Sequence, residues 1–382
     1  MEEFAENQEE QEFSANPEYL RRIKQLPCPT CGSQLNYSAS KNMINCDHCG
    51  YQKSHDESND LIREQSLEKA MSAQVSYSPS QISKKVIDCG SCGAQLMIDD
   101  DKVSVRCNFC GSEKVNETAF DKNLIQPQGI LPFQIDKQNA TNKFQDWIKK
   151  GWFHPNQLKQ LAQLGDVHGI YVPFWTYDAH TGNNWRGDAG YYYYETETYT
   201  SNGETKTRQV RKTRWVHRSG YFERFFDDVL VVASKNMPTE IIEKIFPFEL
   251  EKVINYNNDL VVGWESEIYN IDVKDGYGIA DQKMDTEIKQ QASRELGGDT
   301  QRFLRVNSQK WGQTFKHIVL PLWICSYRYN DKIYQFVVNG QTGKIAGKKP
   351  LSWIKITFAI LVVAAIIGLI VLYTMNNGQT PE

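Results

Sequence analysis

Hydrophobic and polar positions change rhythm several times along this 382-residue chain. The first stretch, MEEFAENQEEQEF, is acidic, rich in Gln and Asn, and has no apolar block. Residues 1–23 are therefore expected to form a disordered tail without a signal peptide. Across 59–74, Leu61, Ile62, Leu67 and Met71 recur among charges. This predicts a short helix within a 53–84 linker, broken by Tyr77-Ser78-Pro79-Ser80. Apolar residues at helical spacing predict helices over 137–150, 156–164, 238–246 and 281–296, and most of the rest of 116–350 reads as strand. From Ile356 to Tyr373 the mixed pattern stops: eighteen residues carry no charge. As a helix they would extend about 27 Å, close to the ~30 Å of bilayer hydrocarbon. A core helix would show a polar face, and this segment has none. The sequence thus predicts a membrane span over 351–375, with a short tail at 376–382 beyond it.

One strand pair can be registered from sequence. Asn202-Gly203 is a strong two-residue hairpin turn, which sets Glu197 opposite Arg208, Tyr193 opposite Lys212 and Tyr191 opposite Arg214. The tyrosine-rich strand and the basic strand (Lys206, Arg208, Arg211, Lys212, Arg214) then complement each other. A weak internal echo links Val172-Pro173-Phe174-Trp175 to Leu320-Pro321-Leu322-Trp323, each leading into an aromatic-rich strand, with proline where a ladder tolerates it. Tyr334 to Asn339 forms another strand, running into the turn Gly340-Gln341-Thr342-Gly343. Residues 116–350 read as an α+β domain, mostly antiparallel sheet, built of two related halves.

Eight of the nine cysteines fall into two copies of one pattern, Cys28-x2-Cys31-x14-Cys46-x2-Cys49 and Cys89-x2-Cys92-x14-Cys107-x2-Cys110. Each Cys-x-x-Cys is followed by glycine, and both copies carry Gln-Leu (Gln34-Leu35, Gln95-Leu96) at the same place. Two such turns meeting across a hairpin close a tetrahedral Zn²⁺ site, so the spacing predicts two small β zinc ribbons, at 24–52 and 85–115. Four disulfides or a redox pair are the weaker reading. Zinc would be structural, because four protein ligands leave no position for a catalytic water.

Composition narrows the functions. The chain is rich in aromatics (9 Trp, 19 Tyr, 17 Phe), enough for a sizeable core, and its net charge of −4 gives no general attraction to nucleic acid or anionic lipid. Between Lys24 and Lys53 three lysines face one aspartate, and between Lys84 and Lys114 five basic residues face five acidic ones. Neither ribbon carries the basic stripe that phosphate neutralisation needs. Lys344, Lys348, Lys349 and Lys355 precede the span and no Lys or Arg follows it, so the positive-inside rule puts the N-terminal bulk in the cytoplasm and the C-terminus outside a single-pass cell membrane. Trp353 and Tyr373 bracket the span as interface aromatics. A reducing cytoplasm suits thiolate ligands.

Catalytic patterns are missing: there is no GxxxxGK[ST], HExxH, GxSxG or GxGxxG. Two Asp-x-His pairs, Asp166/His168 and Asp178/His180, could place ligands on one strand face, but polar strand ends explain them as well. Cys325 reads as a core thiol and His48 as a surface residue. No catalytic residue is assigned.

Three phrases, Leu131-Pro132-Phe133, Val172-Pro173-Phe174-Trp175-Thr176-Tyr177-Asp178 and Val338-Asn339-Gly340-Gln341-Thr342-Gly343-Lys344 before Pro350 and an apolar helix, together with the architecture, resemble zinc-ribbon, single-span membrane proteins of the YdjG type. The likeness covers about 24–374. It implies a membrane partner of SPFH-type or phage-shock-A-type envelope-stress proteins. Relatives are often labelled helicase- or primosome-like, a label this chain contradicts by lacking an ATPase motif. The expected function is a non-enzymatic adaptor at the cytoplasmic membrane face, its ribbons reaching outward to protein partners. The alternatives are a membrane-tethered nucleic-acid binder and an accessory subunit of an enzyme or transporter.

Overall fold

The computed structural model describes residues 28–33, 35–38, 43–54, 62–72, 85–98, 107, 109–110, 112, 114–118, 124–155, 167–261, 264–329 and 332–377. The expected acidic tail, the Tyr77–Ser80 break, the helix at 156–164, Asp166 and the end of the chain after 377 lie outside these residues. In chain order the first cysteine module holds β1 (Asn36–Ser38), β2 (Met43–Asn45) and β3 (Gln52–Ser54). β4 (Gln65–Ser66) and α1 (Leu67–Ser72) follow, then β5 (Lys85–Cys89), β6 (Gln95–Ile98) and β7 (Val115–Thr118) of the second module. The central body comprises β8 (Gly129–Ile130), α2 (Lys137–Lys149), β9 (His168–Ser201), β10 (Glu204–Val232), α3 (Thr239–Lys244), β11 (Ile254–Asn255), β12 (Glu265–Glu267), α4 (Val273–Leu296), β13 (Thr300–Tyr329), β14 (Lys332–Asn339) and β15 (Ile345–Gly347). α5 (Trp353–Asn377) ends it.

Three very long strands organise the body. β9, β10 and β13 run for 34, 29 and 30 residues, with β9 in the middle of the three. Strands usually stop within about ten residues because twist separates them from their partners. Here the ladder survives by slipping: register shifts fall at Phe226/Val229, Arg302/Arg305 and Trp311/Thr314. Asp228, Phe303 and Gly312 take positive φ at or beside those bulges. β13 leaves β9 at Gly190, so the remaining hairpin continues alone as a two-stranded arm. Its tip is Asn202-Gly203, both at positive φ, and Arg208 pairs with Glu197, Lys212 with Tyr193 and Arg214 with Tyr191, the register expected from the turn.

The echo around the two prolines is an internal duplication. Trp175 donates its indole N–H to the Ile271 carbonyl at 2.9 Å, and Trp323 donates to the Ile135 carbonyl at 2.8 Å. Each isoleucine precedes an aspartate, Asp272 or Asp136, that caps a helix by accepting a backbone N–H at 2.7 Å. The Ala233 carbonyl accepts from Asn270 and Ile271, and its N–H donates to Pro173. The Gly340 carbonyl accepts from Gln134 and Ile135, and its N–H donates to Pro321. β12 lies parallel to β9 at Glu265–Ile170, and β8 lies parallel to β13 at Gly129–Ile318. Two β-α-β-β units therefore exchange their first strands about a pseudo-two-fold axis.

Helix α4 crosses the long sheet on a stripe of Val273, Gly276, Ala280, Met284, Ile288, Ala292 and Leu296, all buried. Its small residues let it approach closely; a Cβ on Gly276 would stand 2.4 Å from the Tyr177 hydroxyl. The helix starts eight residues before the expected 281, because its first turns carry Gly276 and Gly278, which thin the apolar pattern. Among the described residues of the linker, only 67–72 is helical, and Gln65–Ser66 pair instead with Phe315 and Thr314 of β13.

The two cysteine modules join the body differently. β6 of the second module pairs with β12 at Ser266–Met97, extending the central sheet, just as β11 closes the equivalent edge at β8. The first module keeps its own three-stranded sheet and touches the body through side chains, with Cys28, Leu35 and Cys46 in one core cluster with Leu260 and Val261. The second module is thus built into the sheet rather than extending freely outward. α5 is long and apolar enough to cross a membrane over Trp353–Thr374, and none of that stretch is buried.

Candidate metal centres

Each cysteine group converges on one point. Cys28, Cys31, Cys46 and Cys49 form one cluster and Cys89, Cys92, Cys107 and Cys110 the other, the four sulfurs of each lying within 4.8 Å of one another. The turns are built by backbone bonds. Gly32 N–H donates to Cys28 O, Gly50 to Cys46 O and Gly93 to Cys89 O, at 2.8, 2.9 and 2.8 Å. Gly32, Gly50 and Gly93 have φ of 72°, 75° and 74°, which other residues adopt at a cost. Sulfurs face each other at 3.3 Å (Cys28–Cys49), 3.6 Å (Cys31–Cys46), 3.6 Å (Cys89–Cys110) and 3.7 Å (Cys92–Cys107). These separations are far too long for disulfides and close to the ~3.8 Å edge of a tetrahedron with ~2.3 Å metal–sulfur bonds.

The thiols share protons unevenly. Hydrogen bonds from the Ser33 hydroxyl and then its backbone N–H pull Cys31 down to about 5. A hydrogen bond from Cys92 pulls Cys107 down to about 5, while the same contact and burial push Cys92 up. Once one thiolate exists, like charge opposes the next, and a divalent cation removes that opposition. Each group could hold a metal ion.

Equivalent positions in the two modules have diverged. His48 is exposed, whereas its counterpart Phe109 is fully buried. The Phe109 carbonyl accepts from Ser326 Oγ at 2.6 Å and from the Gln335 side-chain amide. One turn faces solvent and the other is locked against β13 and β14.

No family model matches the chain, and no solved structure matches it. Over 335 residues, 85% of this chain and 89% of the other, it is 26% identical to YdjG of Bacillus subtilis (strain 168), an uncharacterized protein. The chain is similar to YdjG along most of its length. The resemblance read from the three phrases is borne out; Val172–Asp178 lies within β9 and Val338–Lys344 makes the turn after β14, and both take part in the bonds of the repeat.

The remaining candidates separate. Asp178 and His180 do not converge. Asp178 is buried, accepting the Asp228 N–H at 2.6 Å and the Thr314 hydroxyl at 3.0 Å. His180 stacks between Phe225 and Trp311 with centroids at 4.5 and 6.0 Å. Asp178 instead gathers with Asp227 and Asp228. Burial and then the adjacent Glu64 push Asp178 up to about 6, and Lys316, 2.7 Å from Asp228, supplies the countercharge. Cys325 is fully buried in the core, as expected.

Sequence reasoning missed two buried polar groups. Glu267 on β12 accepts from Ser234 Oγ at 2.6 Å and Asn236 Nδ2 at 2.9 Å through one oxygen, and its other oxygen has no partner among the described residues. His317 donates from Nδ1 to the Ile125 carbonyl at 2.8 Å and packs against Trp175 and Tyr269. Neither belongs to a motif.

Proposed function

We propose that the chain is a non-enzymatic adaptor anchored by α5 in the cell membrane, its bulk on the cytoplasmic side, with structural zinc in both cysteine clusters. The observation that carries this reading is the coordination: four protein thiols per site would fill a tetrahedral ion and leave it no open position for a substrate. The rigid sheet and the projecting arm supply surface for protein partners. By resemblance, SPFH-type or phage-shock-A-type envelope proteins are the class to look for. The basic strand of the arm gives little support to nucleic-acid binding, because its charges are answered locally. Arg208 lies 3.3 Å from Glu197, Lys212 lies 2.5 Å from Glu195, and Arg211 sits 4.3 Å over Tyr192.

The test is gentle solubilisation of membranes holding the full chain, with metal analysis and identification of what co-purifies. Two zinc ions per chain and a specific protein lost from a Cys46→Ser/Cys107→Ser double variant would support the adaptor. Retention of metal and partner by that variant would sink it. Nucleic acid in place of protein, bound with steep salt dependence, would favour the tether.

A further inference from the structure

Between α2 and the start of α5 the protein builds a surface that the adaptor reading does not use. α2 ends at Lys149, the chain turns through Gly151 at φ 105°, and Trp152 and Phe153 emerge 56% and 44% exposed. Their rings meet edge to face at 5.3 Å. Large aromatics left in water are costly, by about 25 cal/mol per Å² of apolar surface. A loop that only had to connect two elements would not carry two of them side by side.

This loop is stapled to the beginning of the apolar helix. Ser352 N–H donates to Phe153 O at 2.8 Å, and His154 Nδ1 lies 2.9 Å from Pro350 O. The Lys355 ammonium donates to His154 O at 2.8 Å. Lys349 donates to the Trp147 and Lys150 carbonyls at the end of α2 and sits 4.1 Å over the Trp147 ring. Gly151 permits the fold-back: a Cβ there would stand 2.6 Å from the His154 ring. The loop therefore moves with the helix.

Its height along the helix is set as well. The Trp152 ring lies 6.4 Å from that of Phe358, which is about 7.5 Å along the axis from Trp353 at 1.5 Å per residue. Trp353 and Ile354 are 79% and 84% exposed beside it, and the exposed Lys149, Lys150 and Lys348 rim the patch. Aromatic rings at the level of the first turns of a span, ringed by lysines, match the headgroup zone of a bilayer with anionic lipid.

We propose that Trp152 and Phe153 insert into the membrane interface beside α5, so that the β body is held to the cytoplasmic leaflet at two points and cannot swivel on a single helix. This rests on α5 spanning the membrane. The occupant is lipid rather than protein because the patch is continuous with the span itself.

The test uses the full chain in phosphatidylcholine/phosphatidylglycerol vesicles whose acyl chains are brominated close to the headgroups. Trp152→Phe and Trp353→Phe variants isolate each indole's emission by difference from wild type. The expected result is loss of both components in brominated vesicles, with neither quenched by aqueous iodide. If Trp353 is quenched by the lipid while Trp152 answers to iodide instead, the span stands and the second contact is overturned. If Trp152 is shielded from both quenchers, a protein surface covers it and the inference again fails. If neither indole responds to brominated lipid, the span reading falls, and the inference with it.

Discussion

Burial acts in opposite directions on two side chains of the body. It pushes the Glu267 carboxyl from the ordinary 4.5 up to about 7, and it pulls the His317 imidazole from 6.5 down to about 4, against the pull of its backbone hydrogen bonds. The folded state holds the Glu267 proton more tightly than the unfolded chain does. Its contribution to stability is present below pH 4.5 and is lost as pH rises to 7. His317 behaves conversely: its contribution is present above pH 6.5 and is lost as pH falls towards 4. Each slope approaches 1.4 kcal/mol per pH unit at most, about the value of one proton, so between pH 4.5 and 6.5 the two offset. Glu267→Gln should make stability rise with pH across that window relative to wild type, and His317→Gln should make it fall. Urea unfolding of the detergent-solubilised chain at several pH values reads this directly, and parallel profiles for all three proteins would refute the assignment.

Elements in this protein are positioned by what side chains leave out as much as by what they bring. Gly276 lies where α4 presses on Tyr177 and Trp175, while Gly278, two residues on, is exposed with nothing near its missing Cβ. Gly276→Ala should therefore destabilise by about 1–3 kcal/mol through overpacking. Gly278→Ala should stabilise by about 0.4–1 kcal/mol by restricting the unfolded chain. Equal effects in thermal unfolding would mean that the helix is not held at this distance. For the arm, Arg208→Glu should raise amide exchange in residues 195–210, and adding Glu197→Lys should reverse part of that rise. The pair is exposed, so its contribution is small, and a local probe is needed to see it. A double variant no better protected than the single would dissolve the pairing's role.

At the scale of the whole molecule, the two cysteine modules should fail differently. The second supplies β6 to the central sheet, and Cys89, Ala94, Leu96, Cys107 and Phe109 to a core cluster shared with Ile170, Val172, Leu320 and Leu322. Among the described residues the first shares no strand with the body. Cys107→Ser should lower the melting temperature of the whole body as well as removing one metal ion. Cys46→Ser should remove one metal ion with a smaller shift. Equal melting shifts with equal metal loss would place both modules on the same footing. The inward seat of the second module leaves the turn of the first, with exposed His48, the more solvent-facing of the two.

Local chemistry explains what was legible in the residues alone. The cysteine spacing, the Asn202-Gly203 turn and the charge-free run at 356–373 each depend on a few neighbouring atoms, so the clusters, the hairpin register and the apolar helix could be read directly. The tandem proline phrases announced a repeat for the same reason. What the chain does across long sequence distances was not legible. The exchange of β8 and β12 between halves, the seating of one cysteine module in the sheet, the burial of Glu267 and His317, and the stapling of the loop at 152–154 to the start of α5 all join residues far apart in the chain. No local pattern distinguishes a strand that ends a module from one that continues a sheet, because backbone groups at an edge accept any partner of matching direction. Which partner arrives is decided by the packing of the two halves, and only the tertiary structure carries that.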